Sequence, residues 1–167
     1  IGLNITAPYK KAVIPYVDNL DGISKSIGVV NTIKIERNND NIILKGFNTD
    51  FGALLAQFQI LFQNLKIKKA LILGTGGAAV TVANVLKFFK TQCIFASRNP
   101  QNIEHISYNE LNKALLDEMD IIINATPLGM FPDVNDCPDI PFDACNNKTV
   151  FYDLIYNPEE TLFLQHA

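Results

Sequence analysis

The chain has 167 residues, 48% of them apolar and 19% charged, with a formal net charge of −3. A chain of this size and apolar content buries one sizeable core and part of a second, and without a basic excess it has no means of holding a phosphate backbone, so no nucleic-acid partner is expected. No apolar run approaches the roughly 18 residues that a membrane-spanning helix needs, and no basic segment followed by a long apolar stretch opens the chain, so neither a membrane partner nor export is expected.

The first fifty residues read as a strand (Leu3 to Thr6), a helix opened by Pro8, a short helical stretch from Gly22 to Ile27, and two strands, Val29 to Glu36 and Ile42 to Phe47. Between the last two lies Asn38-Asn39-Asp40-Asn41, a turn-rich tetrapeptide that signals a hairpin. From Asp50 the pattern changes. Leu54, Leu55, Phe58, Leu61, Phe62 and Leu65 recur at helical spacing, and Ala70-Leu71-Ile72-Leu73 follows as an unalternating run typical of a strand buried on both faces. A helix from about Ala79 to Phe89, a strand from Cys93 to Ala96, a helical stretch near Asn109 to Asp117, a strand from Ile121 to Asn124, a Pro-rich loop and a strand from Val150 to Ile155 complete the reading. Strands alternating with helices predict an α/β fold with a doubly wound parallel sheet, beside part of a smaller α/β domain. The expected division is residues 1–49 and 50–167, and ligand pockets favour such junctions.

Chemistry concentrates at a few places. Gly74-x-Gly76-x-x-Ala79 stands directly after a buried strand and at the mouth of a helix, the Rossmann-like dinucleotide arrangement: one glycine for the turn, one for close approach to the pyrophosphate, and a small residue for packing. The amides of the helix N-terminus then hold the phosphates. At the end of the next strand an NAD site carries a carboxylate for the ribose hydroxyls, whereas here the chain reads Ala96-Ser97-Arg98-Asn99. A guanidinium favours a 2′-phosphate, and so NADP. Thr126 to Met130, at the carboxyl end of another buried strand, are expected beside the nicotinamide half, with Met130 open to a second reading as packing filler. Leu154 and Tyr156 reach the same edge, and Tyr156 is either a core tyrosine or a substrate contact. Lys10 is either a solvated charge at a helix start or a proton-transfer group. Cys93, Cys137 and Cys145 lack CxxC spacing and are accompanied only by His105 and His166, so neither a disulfide framework nor a metal site is expected, and reduced thiols in the cytoplasm are.

Six segments together resemble the shikimate dehydrogenase family in order and spacing: Asn4-Ile5-Thr6-Ala7-Pro8-Tyr9-Lys10, Gly28-Val29-Val30-Asn31-Thr32, Asn48-Thr49-Asp50, Gly74-Thr75-Gly76-Gly77-Ala78, Asn124-Ala125-Thr126-Pro127-Leu128-Gly129-Met130 and Tyr152-Asp153-Leu154-Ile155-Tyr156-Asn157-Pro158. The resemblance implies NADPH-dependent, reversible reduction of 3-dehydroshikimate to shikimate in the chorismate route to aromatic amino acids. It also implies roles. Lys10 matches the family's catalytic lysine and Asp50 its paired aspartate, and Thr6, Asn31, Asp50 and Tyr156 match substrate contacts. Gly74, Thr75, Gly76, Gly77 and Ala78 match the pyrophosphate loop, Ser97 and Arg98 the adenosine-phosphate contact, and Leu154 a residue near the nicotinamide. Hydride delivery to a ketone leaves charge on oxygen, and a lysine can supply the neutralising proton with a tunable pKa, where an arginine cannot.

The resemblance also places the family's first strand and helix, with its substrate-carboxylate serines, before Ile1, and a closing segment with a substrate-contacting glutamine after Ala167. The 167 residues alone are therefore expected to turn over poorly or not at all. A second arginine common in the 2′-phosphate loop is replaced by Asn99-Pro100-Gln101-Asn102, which softens the expected NADP preference. Phe51-Gly52-Ala53 departs from the family's usual residues at the hinge. Two alternatives stand beside the main reading: a quinate/shikimate dehydrogenase using NAD, and a non-catalytic dinucleotide-binding fragment. A monomer or homodimer acting on a small molecule is expected.

Overall fold

Prolines and polar residues interrupt the start of the chain, and its first elements are correspondingly short. The computed structural model describes residues 1–38 and 41–167. They form two compact units, residues 1–64 with 76–85, and residues 65–75 with 86–167.

In the first unit, β1 (Gly2–Asn4), β2 (Asn19–Leu20), β3 (Thr32–Asn38) and β4 (Asn41–Phe47) make a sheet ordered β1-β3-β4-β2. β3 pairs antiparallel with both neighbours, and β2 runs parallel to β4. The hairpin register matches Asn38 with Asn41; the predicted turn residues Asn39 and Asp40 lie outside the described residues. Helix α1 (Gly22–Ile27) is opened by Asp21, whose side chain accepts the Ser24 N–H at 2.9 Å, an N-cap that satisfies one orphan donor. Asn48 does the same for α2 (Thr49–Leu61), accepting the Phe51 N–H at 3.0 Å.

The helix expected after Pro8 does not form. Residues 7–13 make turns and lead into a single 3-10 turn at Ile14–Tyr16. Pro15 has no N–H to donate, and its ring opposes a continuing α-helix. The predicted long helix also stops early: Gln63 closes it with a 3.3 Å bond to the Ile60 carbonyl, and Leu65 lies beyond its end. The two-residue β2 is too short to leave a period in the sequence.

In the second unit, β5 (Lys69–Leu73), β6 (Gln92–Ser97), β7 (His105–Ser107), β8 (Ile121–Asn124) and β9 (Val150–Asp153) form an all-parallel sheet ordered β7-β6-β5-β8-β9. Helix α3 (Gly77–Phe88) follows β5 in the chain, and its residues 77–85 belong to the first unit. The stretch predicted as helix from Asn109 to Asp117 divides into a 3-10 turn and the four-residue α4 (Lys113–Leu116), because Asn112 caps a new start by accepting the Leu115 N–H. A last short helix, α5 (Leu162–Gln165), is capped by Thr161.

β5 and β8 are buried on both faces, as their unbroken apolar runs require. Leu71, Leu73 and Ile122 pack on one face with Leu111, Leu116, Met119, Ile140 and Phe163. The strand order turns back between β5 and β8, so the carboxyl ends of these two strands form the switch point where open α/β sheets bind ligands. Among the described residues, no helix is long and apolar enough to cross a membrane.

Candidate functional site

The first unit gathers the polar groups of three segments. Lys10 follows the turn at Pro8, and its carbonyl accepts the Val30 N–H at 2.8 Å. Its Nζ donates to Asp50 Oδ2 at 2.6 Å, with the lysine side chain 18% and the aspartate 39% exposed. Ion pairs this close to water contribute about 0–1 kcal/mol, so this one orients its partners far more than it stabilises the fold. Asp50 sits in the first turn of α2, where a carboxylate is favoured by the helix dipole.

Beside it, buried Asn31 is fixed from both ends of its amide. Its Nδ2 donates to Thr49 Oγ1 at 3.0 Å, and its Oδ1 accepts the Thr49 N–H at 2.9 Å and the Thr32 hydroxyl at 3.0 Å. Asn48, also buried, caps α2 through Oδ1 while its Nδ2 donates to the Val29 carbonyl at 3.3 Å and to Thr81 Oγ1 at 3.2 Å. Lys10, Asn31 and Asp50 are thus held in one polar cluster. Asn48 and Thr49 belong to its support, although sequence reasoning took only Asp50 from that tripeptide; the signal available was the N-cap position of Asn48 itself. Thr6 is exposed, and its carbonyl accepts the Tyr9 N–H at 2.9 Å.

The loop from β5 into α3 is built around Gly74. Its φ of +100° excludes ordinary side chains, and a Cβ there would press on Thr126 Cγ2 at 3.1 Å and the Ala125 carbonyl at 3.3 Å. Gly76 is different: a Cβ there would meet nothing within 4 Å, which leaves its backbone open to a ligand. Gly77 and Ala78 open α3, whose first amides have no intrahelical acceptors and suit a phosphate. At the end of β6, Ser97 is buried and accepts the Asn99 N–H at 3.2 Å, while Arg98 is exposed. Burial pushes the Tyr108 phenol up, and the nearby Arg98 guanidinium opposes that shift. The open backbone at Gly76 and the helix start at Gly77 together suit a phosphate group.

At the end of β8, Asn124 is inaccessible and organises the Thr126–Leu128 turn. Its Oδ1 accepts from the Thr126 N–H at 3.0 Å and hydroxyl at 2.7 Å; its Nδ2 donates to the Leu128 carbonyl at 3.3 Å and the Asp153 carboxylate at 3.2 Å. Asp153 also accepts the Thr161 hydroxyl at 2.6 Å and the Ile155 N–H at 2.9 Å. Thr126 and Leu154, whose N–H donates to the Asn124 carbonyl at 3.1 Å, are therefore positioned by one network. Met130 is 48% exposed and Tyr156 90% exposed, so neither packs into the core of the described residues. Cys93, Cys137 and Cys145 are free thiols. No group of three or more His, Cys, Asp or Glu among the described residues is placed to hold a metal ion.

Comparison with known proteins adds to this geometry. The model of the shikimate dehydrogenase substrate binding domain matches residues 1–33. The NADP(+) shikimate dehydrogenase of Methanosphaera stadtmanae is 37% identical over 99% of this chain and 62% of its own length. The crystal structure of shikimate dehydrogenase 1 from Peptoclostridium difficile superposes with a TM-score of 0.82 at 36% identity, over 99% of this chain and 60% of that one. Shikimate 5-dehydrogenase from Thermus thermophilus, solved in complex with NADP(H) and shikimate, gives a TM-score of 0.78 at 29% identity, over 99% and 62%. The chain thus spans about three-fifths of the length of the curated relatives it matches. The likeness runs through both sheets and the glycine loop, so the chain is similar to shikimate dehydrogenases over nearly all of its own length.

Proposed function

We propose that the protein to which these residues belong catalyses the reversible, NADPH-dependent reduction of 3-dehydroshikimate to shikimate, a step toward chorismate and the aromatic amino acids. The observation that carries this reading is the 2.6 Å pair of Lys10 and Asp50 beside the doubly bonded Asn31. A single ammonium is held there with an acceptor for substrate hydroxyls next to it. The names of the relatives support the same reading, since those of 33–39% identity are NADP(+) shikimate dehydrogenases.

Residues 1–49 would supply the substrate-binding part, with Thr6 and Asn31 contacting hydroxyls together with Asp50 and Tyr156 from beyond that range. Residues 50–167 would hold the dinucleotide, with Gly74, Thr75, Gly76, Gly77 and Ala78 at the pyrophosphate, Ser97 and Arg98 at the 2′-phosphate, and Thr126 and Leu154 toward the nicotinamide. Bound there, the reduced nicotinamide supplies the hydride. Lys10 then releases a proton from Nζ to the ketone oxygen as charge develops on it, so that one hydride and one proton convert the ketone to the alcohol. Asp50 keeps the lysine aimed during this transfer and accepts a hydrogen bond from a neighbouring substrate hydroxyl. In the reverse direction the same lysine takes the proton back. A cytoplasmic setting fits the partly buried free thiols, and the protein would act there as a monomer or homodimer.

The test is absorbance at the reduced-nicotinamide band with the full-length protein, given shikimate or quinate with NADP+ or NAD+. Turnover led by shikimate and NADP+ is expected. Equal or better rates with quinate and NAD+ would replace this reading, and no turnover by a folded protein that binds NADPH would leave a binding module.

A further inference from the structure

Gly77 opens α3, and the family resemblance gives it to the pyrophosphate loop. That assignment concerns its backbone N–H, and the space where a side chain would stand has a separate use. A Cβ built on Gly77 would lie 3.0 Å from Cβ of Lys10, 3.3 Å from Lys10 Cδ and 3.3 Å from Val29 Cγ1, whereas one built on Gly76 would meet nothing within 4 Å. The space beside Gly76 is free for a ligand, and the space beside Gly77 is already filled by the lysine stem.

Lys10 is therefore located at three heights. Its carbonyl accepts the Val30 N–H, its methylenes lie against Gly77, and its ammonium reaches Asp50. Val29, whose Cγ1 bounds the same space at position 77, is inaccessible to solvent, so that boundary cannot retreat without disturbing the core. A lysine side chain has many rotamers when nothing touches its stem, and a half-exposed ion pair selects weakly among them. The glycine backbone next to the methylenes narrows the choice further, because the path they take runs through space that a Cβ would crowd.

We infer that Gly77 is a positioning residue for Lys10: the side chain it lacks leaves the slot through which the lysine stem carries its ammonium to Asp50. This rests on the reading of Lys10 as the proton donor. It separates two adjacent glycines of one loop by task, with Gly76 open toward a ligand and Gly77 closed over the acid.

The test is Gly77→Ala. Position 77 lies outside the left-handed region that only glycine tolerates, and alanine is the better helix former, so the substitution introduces a methyl without backbone strain. In the full-length protein kcat should fall by about tenfold to a hundredfold, the cost of a modest misplacement of a reacting group. The pH profile of kcat should move with it, while the NADPH dissociation constant, read by nucleotide fluorescence, stays near that of the unsubstituted protein. A weakened NADPH affinity with kcat at saturation and its pH profile unmoved would overturn the inference, since the methyl would then act on the nucleotide and not on the lysine.

A second measurement needs no turnover. Lys10→Gly removes both lysine atoms that face position 77, so in a thermal-unfolding double-mutant cycle the Tm loss caused by Gly77→Ala should shrink in the Lys10→Gly background. Strictly additive Tm shifts would sink the contact. If the unsubstituted protein shows no turnover, the proposed reaction fails by itself, and the cycle still decides whether Gly77 and Lys10 act on each other.

Discussion

Every residue of β8 is inaccessible to solvent, and every residue of β1 is exposed. The two sheets are ordered by different forces. In the five-stranded sheet, apolar burial on both faces fixes the central strands, and hydrogen bonds follow from that placement. In the four-stranded sheet the strands lean on their ladder and on charges, with Glu36 bridging Lys34 at 2.9 Å and Lys45 at 2.7 Å on neighbouring strands. The groups proposed as acid and hydroxyl acceptor, Lys10, Asn31 and Asp50, belong to the unit of the four-stranded sheet, where polar side chains have partners that a substrate hydroxyl could replace. A buried apolar sheet offers no such exchange.

That contrast can be broken at several points. The largest effect expected is on Lys10→Ala, which should lower kcat of the full-length protein by about 10² to 10⁴-fold, the range for loss of a general acid, with NADPH binding and urea midpoint preserved. A variant that retains turnover would remove the first unit's chemistry from the picture. Next in size, Ile122→Ala in β8 should destabilise by about 2 to 5 kcal/mol, whereas Ile43→Ala on the partly exposed β4 should cost about 1 kcal/mol or less. Equal costs by urea unfolding would mean that the four-stranded sheet is as dependent on burial as the parallel one.

Smaller effects are set by pH and act on opposite sides. Burial pushes the Cys93 thiol from its usual 9.0 up to about 11. Below the lower value both folded and unfolded chains keep the proton; between the two values only the unfolded chain loses it, so stability falls as pH rises through that window. Cys93→Ala should flatten the alkaline limb of a Tm against pH curve, and an unchanged limb would speak against a shielded thiol. The smallest effect belongs to Glu36, whose carboxyl is held below its ordinary 4.5 by hydrogen bonds from Lys45 and then Lys34. Its contribution is complete above that ordinary value and is lost as pH falls through the lowered one. Glu36→Gln should remove this acid sensitivity, and added salt should mimic part of the substitution.

The sequence revealed the parallel sheet well because continuous runs such as Ala70 to Leu73 and Ile121 to Ile123 have one physical solution in a chain of this length. It revealed the glycine loop for a related reason: a turn, a close approach and a helix start must be consecutive. It misread residues 8–16, where the spacing of Pro8 and Pro15 leaves room for turns and one 3-10 helix but for no regular helix. The support of the polar cluster was also hidden. Thr49 is legible as helix-start chemistry, yet its bonds to Asn31, and those of Asn48 to Val29 and Thr81, join distant segments and leave no local period. Tyr156 shows the opposite limit, since a tyrosine at a strand end carries no sign in the sequence that it will be 90% exposed.

The side chain of Asn48 has one more consequence, for the clock of amide exchange. Protons in the first turn of a helix ordinarily trade with water quickly, because nothing inside the helix accepts them. The Phe51 N–H is in that turn, but its acceptor is a buried amide that is itself tied to Val29 and Thr81. Its proton can leave only when three segments of chain loosen together, so the turn that carries Asp50 should exchange at the pace of the core and not at the pace of a helix end.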